Sequence, residues 1–323
     1  MIEPLDFELR ALLSWPKRML LLPRSIRLTR CEFEIRGTAD APPLRAVYIG
    51  EGLSLPYFLK LYRSCASQVR EIPAWRLRSA IASARAAFPI VLVEINRVLD
   101  FLVPGDGLRS DSWVQQETHL DSVAYRKRRR GIERGWGQKV RSRGYRWTLS
   151  RDEKDLVRFY REFYLPHAIH RHGEIAFTRG IHRLKAAFRG GFLLQVWEGP
   201  NWVSGVVANI GKGSRVSLLA AGLHPSLQGQ MQGGALSAAY YFLFQWAEEN
   251  GVSTVNFCGS RPNEMDGVFH HKKLWAAVPK HDPWHHTEVV FFLDKSVRLP
   301  EAIGKQLISI DGGFVRIDEY LTA

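Results

Sequence analysis

The stretch Ser217–Asn256 restricts the fold of this chain more than any other part of the sequence. A short apolar run, Leu218–Ala221, is followed by a polar turn with glycines, Pro225–Gly234. An apolar segment of helical length, Ala235–Ala247, and a strand-like run, Val252–Phe257, complete it. This order predicts strand, turn, buried helix and strand. Unpaired N–H groups and the positive end of the helix dipole favour an anion such as a phosphate at the turn.

The turn itself carries the residues Gln230-Met-Gln-Gly-Gly-Ala235. Glycines let a backbone approach a pyrophosphate closely, and the N–H groups that we expect to donate to it are those of Gln232, Gly233, Gly234 and Ala235. The same glycines would also suit a tight turn that packs a helix on a sheet. The six residues match Q/R-x-x-G-x-G/A and resemble the pyrophosphate-binding turn of the GNAT acyltransferase superfamily.

The charge balance restricts the partners. The 323 residues include 45 Lys and Arg against 32 Asp and Glu, a net charge of +13. Ten of the basic residues lie in Ala124–Trp147, beside one acid, Glu133. This balance favours a polyanionic partner such as nucleic acid, acidic phospholipid or a phosphorylated substrate. The basic segment would equally serve as a solvated, partly helical connector.

Cysteine usage and hydropathy indicate the compartment. The three cysteines, Cys31, Cys65 and Cys258, are odd in number and widely spaced, which argues against a disulfide framework. No stretch approaches the ~20 apolar residues of a membrane span, and the N-terminus does not resemble a signal peptide. We therefore expect a cytoplasmic protein without a transmembrane segment, with peripheral contact to the acidic inner face of the membrane as an option.

Changes of pattern divide the chain. Residues 1–120 are expected to form an N-terminal α/β lobe, residues 121–149 a basic connector, and residues 150–323 a second, catalytic lobe. The second lobe begins with a predicted helix, and an antiparallel meander of three strands over residues 192–221 leads into the Ser217–Asn256 unit.

Two helix starts are predicted from polar residues. Ser54 is expected to cap a helix of the first lobe, and Ser150 a helix that runs to His172. Pro166 should kink or split the second helix, because proline has no backbone N–H to donate.

A second motif follows the last strand of the unit, and it narrows the resemblance. Asn256-Phe-Cys-Gly-Ser-Arg261 precedes Asp266-Gly-Val-Phe-His-His-Lys-Lys-Leu-Trp275-Ala276. These residues resemble two elements of the Fem-type branch of the GNAT superfamily, which includes peptidoglycan bridge-forming aminoacyltransferases: Asp/Asn-x-x-Gly-Ser and Gly-hydrophobic-x-x-F/H-K-x-x-W/F-G/A. The arginine-rich segment is similar as well, so the resemblance covers about residues 120–295. Ala276 departs from the usual glycine, and His271-Lys272 stands where the branch often has Phe-Lys.

The resemblance implies an α/β (α+β) chain with a GNAT-like mixed, mostly antiparallel sheet flanked by helices. Two tandem lobes are implied, the first of them degenerate. Acetyl-CoA or another acyl-CoA is the implied co-substrate. No metal is expected, because the eleven histidines show no HExxH spacing.

Acyl transfer to an amine needs a positioned amine, a base, oxyanion stabilisation and a proton for the leaving group. Backbone N–H groups between Leu219 and Leu223 would polarise the carbonyl. A histidine with a near-neutral pKa is the easiest base. The candidate bases are His224, Glu174, Asp266 and His270, and the residues expected at the substrate are Arg261, Lys272 and Trp275.

The implied function is N-acyl transfer from acyl-CoA to an amine of a sugar, peptide or cell-envelope precursor. Two alternatives stay open. One is an aminoacyl-tRNA-dependent aminoacyltransferase, with Ala124–Trp147 as the tRNA contact. The other is a non-catalytic polyanion-binding protein on an acyltransferase scaffold.

Overall fold

The computed structural model describes residues 26–36, 43–173, 178–227, 234–282 and 285–323. Two large, mainly antiparallel sheets flanked by helices confirm the predicted mixed α/β class. The chain forms two compact units. Unit 1 takes the described residues of Met1–Gln115, Gly259–His270 and Pro279–Ala323, and unit 2 those of Gln116–Cys258 and His271–Val278.

Unit 1 contains a six-stranded sheet of order β3-β1-β2-β4-β13-β5. Strand β4 is buried throughout and β2 is buried from Ala46 onward, as expected for apolar strands covered on both faces. The pair β2–β4 is parallel and the other pairs are antiparallel. The strands are β1 (Arg27–Ile35), β2 (Leu44–Gly50), β3 (Ala66–Pro73), β4 (Ile90–Asn96), β5 (Leu108–Asp111) and β13 (Thr287–Leu293).

Unit 2 contains most of the larger sheet, whose strand order is β12-β6-β11-β10-β9-β8-β7: strands β7 to β10 lie in it whole, and β6 and β11 for most of their length. The predicted meander is confirmed, since β8, β9 and β10 pair antiparallel in sequence order. The strands are β6 (Val114–His119), β7 (Tyr145–Ser150), β8 (Gly191–Glu198), β9 (Asn201–Gly211), β10 (Arg215–Leu223), β11 (Thr254–Ser260) and β12 (Val278–His281).

The helices predicted near Ser54, after Ser150 and from Ala235 are present with shifted ends. Short strands β14 (Leu307–Ile310) and β15 (Gly313–Arg316) form a separate two-stranded sheet. No helix among the described residues is long and apolar enough to cross a bilayer. The helices are α1 (Leu55–Leu61), α2 (Leu77–Ala87), α3 (Val123–Ile132), α4 (Gln138–Arg143), α5 (Glu153–Phe159), α6 (Leu165–His172), α7 (Ile181–Phe188), α8 (Ala235–Glu249), α9 (Gly267–Lys273), α10 (Glu301–Gly304) and α11 (Ile317–Thr322).

The division into units differs from the expected lobes. Strand β13 pairs with β4 over seven residues, from Thr287↔Asn96 to Leu293↔Ile90, so the C-terminal part of the chain completes the sheet of unit 1. The 121–149 segment is no loose connector, because α3, α4 and β7 belong to unit 2 and β7 pairs with β8. Periodicity names a strand but not its partner, which here lies far away in sequence.

Two turns of π-helix interrupt the helices of unit 2. One, Glu133–Gly137, joins α3 to α4, and the other, Tyr160–Tyr164, joins α5 to α6 just before Pro166. The π turn Tyr160–Tyr164 separates α5 from α6, as predicted from Pro166, which has no backbone N–H to donate. The predicted cap is wrong by two residues: Asp152 accepts the N–H of Lys154, and Ser150 Oγ bonds Asp155 instead.

The unit predicted over Ser217–Asn256 is confirmed as β10, α8 and β11. Ala239, Leu243 and Ala247 recur at helical spacing on α8 and are fully buried against the sheet. The helix ends at Asn250, and Gly251 with φ of 66° takes the left-handed conformation that commonly terminates helices.

The π turn between α3 and α4 predicts that the free energy of unfolding falls at acid pH. Glu133 accepts hydrogen bonds from Arg141, Tyr241 and Arg129. The Arg141 hydrogen bond, followed by those from Tyr241 and Arg129, lowers the pKa of Glu133 from 4.5 to about 2. A depressed carboxyl pKa stabilises the fold above pH 4.5, and that contribution is lost as pH falls from 4.5 towards 2.

In Glu133→Gln we therefore expect a smaller loss of unfolding free energy between pH 7 and pH 3 than in the wild type, measured by urea denaturation. Glu162→Gln, which removes an exposed pair with Arg158, is the control and should cost about 0.5 kcal/mol or less. Equal acid sensitivity of wild type and Glu133→Gln would contradict the assignment.

Candidate functional site

The parallel pairing of β10 with β11 is short. Three residue pairs, Arg215↔Thr254, Val216↔Val255 and Ser217↔Asn256, make up the register, although both strands continue beyond it. The segments Leu218–Leu223 and Phe257–Cys258 therefore border a place where the two strands of unit 2 separate; we call it the β10–β11 gap. In a parallel pair linked through a helix, ligands bind beyond the carboxyl ends of the strands, which is where this gap lies.

A β-bulge lies on the β10 side of the gap. Against β9, Leu218 pairs with Ala208 and Ala220 with the next residue, Val207, so Leu219 is the extra residue. A bulge takes backbone groups out of the regular ladder and is over-represented beside active sites. Leu219 and Leu223, expected to polarise the carbonyl, thus lie at the bulge and at the end of β10.

The end of β10 is tied to the start of α8. Leu223 pairs with Ser204 of β9, and Ser204 Oγ donates a 2.6 Å hydrogen bond to the carbonyl of Ala235 in the first turn of the helix. Ser204 is fully buried, so the hydrogen bond is shielded from water. This bond holds the helix N-terminus beside the carboxyl end of the strand.

Gly234 precedes α8 in the left-handed region, with φ of 74°. A Cβ built there would lie 3.9 Å from Lys139 Cδ and Trp136 Cζ3, both from the basic segment. Lys139 Nζ lies 5.0 Å from the centre of the Trp136 ring. The Lys139 side chain therefore passes beside the positive end of the helix dipole, and an anion bound there would be favoured by both. No sequence pattern marks Lys139, because Gly234 lies almost a hundred residues away in the chain.

His224 is the candidate base on this part of unit 2. Its N–H donates to Val203 of β9, and its ring lies 5.4 Å from that of Phe163 at a steep angle. Its Nδ1 is 2.8 Å from Ser226 Oγ. The backbone N–H of Ser226 also donates to Nδ1, at 3.3 Å, so Nδ1 is the acceptor of the neutral ring and Nε2 carries its proton.

Tyr240 is a protic group that the sequence assigned to the core. Its ring contacts those of His271 and Phe257, at 4.9 and 6.0 Å between centres, and Phe257 borders the gap. Burial raises the pKa of the Tyr240 phenol to about 12, against the opposing charge of Arg171. Tyr240 thus holds its proton at neutral pH. A tyrosine within an apolar helix carries no sequence signal that separates this role from packing.

Other predicted residues have structural contacts. Asp266, a residue of unit 1, accepts the N–H groups of Val268 and Phe269 at 2.9 and 2.8 Å, which makes it the N-terminal cap of α9. His270 is exposed on that helix. In unit 2, Lys272 and Trp275 are buried, at 6% and 1% exposure, and Lys272 Nζ donates to the carbonyl of Cys258.

The remaining predicted residues fall into two groups. Arg261 belongs to unit 1 and is partly exposed. Outside the described residues lie Glu174, Gln230, Gln232 and Gly233. Within the described ranges, no three or more His, Cys, Asp and Glu side chains converge as metal ligands would.

Comparisons with known proteins give distant similarities. No family model matches the chain, and no curated protein matches it. Similar solved structures include L-PGS from Bacillus licheniformis, 12% identical with a TM-score of 0.41 over 82% of this chain and 84% of that one. A GCN5-related N-acetyltransferase from Kribbella flavida is 10% identical with a TM-score of 0.31 over 87% of this chain and 93% of that one.

A tandem GNAT protein from the clavulanic acid biosynthesis pathway is also similar, 13% identical with a TM-score of 0.31 over 77% of each chain. Two of these three structures are thus named as GNAT proteins, and none is named as Fem-type. TM-scores below 0.5 do not establish a shared fold.

A substitution at Gly222 of β10 tests how closely the π turn Tyr160–Tyr164 packs against this strand. A Cβ at this position would lie 2.8 Å from the backbone of Phe163 and Tyr164 in the π turn. Backbone cannot move aside as a flexible side chain can, so Gly222→Ala should destabilise by about 1–3 kcal/mol in urea denaturation.

Gly131→Ala is the matched control, since nothing lies within 4 Å of a Cβ at this exposed helical position. It should be stabilising by about 0.5–1 kcal/mol. A neutral Gly222→Ala would show that the π turn does not press on β10.

Proposed function

We propose that the chain is an N-acyltransferase whose acyl-CoA donor binds at the β10–β11 gap of unit 2. The observation that carries the proposal is the end of the parallel pairing after Ser217↔Asn256, next to a helix N-terminus that Ser204 ties to β10. Separated strands leave backbone groups for the acyl amide and thioester, and the helix N-terminus suits the pyrophosphate. Unit 1, with its own parallel pair β2–β4, would be the degenerate lobe.

The donor would be held mainly by backbone groups. In this proposal the N–H groups of Gly234 and Ala235, with Gln232 and Gly233, receive the pyrophosphate, and Gln230 flanks it. Lys139 adds a cation. Backbone N–H groups between Leu219 and Leu223 polarise the thioester carbonyl, because the bulge removes one residue from the ladder with β9.

The transfer would proceed by attack of an amine nitrogen on the thioester carbonyl, with cleavage of the C–S bond. His224 takes, on Nδ1, the proton that the amine loses. Tyr240, with a pKa of about 12, is a weaker acid than a thiol of pKa about 8.5. We therefore assign Tyr240 the role of donating a hydrogen bond to the departing thiolate. The proton that converts the thiolate to a thiol comes from solvent.

The acceptor stays an amine of a sugar, peptide or cell-envelope precursor in the cytoplasm, as the Fem-type resemblance implies. Glu174, Asp266 and His270 are retained as alternative bases, although Asp266 is committed as a helix cap. Lys272 and Trp275 would act on a substrate indirectly, since both are buried in unit 2.

Titration calorimetry with CoA and acetyl-CoA tests the donor site. We expect both to bind, and Lys139→Gln to weaken binding about fivefold to tenfold by removing a cation from the pyrophosphate. Lys154→Gln, an exposed lysine on α5, is the charge-matched control and should bind as the wild type does. Failure of every acyl-CoA and of CoA to bind the wild type would refute the proposal.

An aminoacyl-tRNA donor is the second candidate, and one feature of α3 and the following π turn favours it. Four cations, which we call the basic strip, are exposed and have no acidic partner among the described residues: Arg126, Lys127, Arg130 and Arg134. By contrast, Arg129 and Arg141 bond Glu133. An acidic membrane surface or another polyanion is the alternative partner, which would also suit a protein without catalysis.

Salt-dependent tRNA binding distinguishes these partners. Replacing the four cations of the basic strip with glutamine should make the negative slope of log K against log salt less steep by about 3. The expected change is roughly 0.7–0.9 for each phosphate contact that is lost. The control replaces four other exposed cations of unit 2 by glutamine, at the same cost in net charge: Arg151, Lys154, Arg161 and Arg183. Equal effects of the two variants would rule out a tRNA site on the strip, and binding of anionic vesicles lost only with the strip would indicate the membrane.

A further inference from the structure

A directed chain of hydrogen bonds fixes one arginine of unit 1. Glu94 is fully buried and accepts from the hydroxyls of Tyr48 and Ser54 and from the Ser54 N–H, the last at 2.9 Å. Because the Ser54 hydroxyl donates to Glu94, its oxygen is left to accept, and Arg261 Nη1 donates to it at 2.7 Å. Ser54 was expected to cap α1, but its side chain makes no capping bond.

The position of Arg261 is fixed from three sides. Nη1 also donates to the carbonyl of Ser112 at 2.9 Å, so both of its N–H bonds are used. The guanidinium carbon lies 4.4 Å from the centre of the Trp113 ring and 4.9 Å from that of Tyr57. Cation–π contacts of this kind hold a guanidinium plane in place.

The backbone around Arg261 is held as firmly as its side chain. The residue directly follows β11, and the next carbonyl, that of Pro262, accepts the N–H of Leu307. Asn263 is fully buried and donates to the carbonyl of Ala302 at 2.8 Å. An ion-binding group that is ordered in advance loses little entropy when its ligand arrives.

One edge of the Arg261 guanidinium stays open. Of its five N–H bonds, the two on Nη1 are used, and no described residue accepts from Nε or Nη2. Neither nitrogen is sealed from solvent. Nε–H and the adjacent Nη2–H point the same way, which is the side-on fork that binds two coplanar oxygens.

A purely structural arginine would direct this fork at Glu94. Here Arg261 Nη1 donates to the Ser54 hydroxyl, which in turn donates to Glu94, so the Nε–Nη2 fork makes no hydrogen bond to the carboxylate. The hydroxyl of Tyr57, whose ring covers Arg261, is buried and has no hydrogen-bond partner among the described residues. Buried polar groups left unpaired are rare and point to a missing water or ligand.

The charges around the fork select the ligand. Glu94 and Asp266 both act electrostatically on Arg261, so acidic side chains lie close to the fork. A dianionic phosphate would be repelled more than a monoanion. A carboxylate carries one charge and two coplanar oxygens, and it matches the fork.

We propose that unit 1 binds a carboxylate group on the Nε–Nη2 edge of Arg261, with Tyr57 and Trp113 beside it. The carboxylate belongs either to a small organic acid such as an amino acid or to a peptide C-terminus. This site stands on unit 1 alone and does not depend on acyl transfer.

Titration of the wild-type chain tests the chemistry. The ligands are acetate, N-acetylglycine and a tripeptide with a free C-terminus, each beside its amide, and inorganic phosphate. We expect at least one acid to bind at least tenfold tighter than its amide and tighter than phosphate. The tripeptide against N-acetylglycine separates a peptide end from a small acid. No binding by any acid, equal binding by acid and amide, or tighter binding of phosphate would overturn the proposal.

Variants locate the site. Arg261→Lys keeps the charge but loses the planar fork, and it should weaken the binding of the acid about tenfold. Arg85→Lys is the matched control, since Arg85 also lies over an aromatic ring but already binds Asp106 with both terminal nitrogens. Unchanged affinity in Arg261→Lys would refute the site.

Hydrogen exchange on the wild-type chain gives the same answer if Arg261→Lys does not fold. The bound acid should slow exchange in peptides that contain Ser112 and Arg261. Protection confined to other peptides would count against the proposal.

Discussion

The short parallel pairing of β10 with β11 is the contact on which the candidate donor site depends. It aligns both strands at Ser217↔Asn256, and its end leaves their carboxyl-terminal halves apart. The bulge at Leu219, the π turn against Gly222 and the Ser204–Ala235 hydrogen bond all act on the same short length of β10. Together they keep the end of a strand, its backbone groups and the N-terminus of a helix close to one another.

The contacts of the basic side chains, more than their number, decide which of them are available to a partner. The segment Ala124–Trp147 looks uniformly basic in sequence, yet Arg129 and Arg141 are committed to Glu133, and Lys139 lies near Gly234. Only part of the segment is left to meet a partner. In unit 1, by contrast, Arg261 donates to Ser54 and Ser112 and lies between two aromatic rings.

Sequence patterns predicted the local elements well where burial decides them. The apolar helix from Ala235 and the meander before it are present with small shifts at their ends. Strand β3 was missed, because six of its residues are exposed and carry no apolar alternation. Ser54 has a capping residue's type and position, but a buried carboxylate 40 residues away competes for its hydroxyl.

The sequence by itself determined the mixed α/β class and the strand–turn–helix–strand unit, because alternation and helical periodicity are local properties. It also marked Gly234 and Ala235 as the start of that helix. Tertiary structure alone decided that β13 completes the sheet of unit 1, that Lys139 lies beside Gly234, and that Arg261 keeps an open edge. Each of these depends on a partner distant in the chain, and a linear pattern does not specify which distant residues will meet.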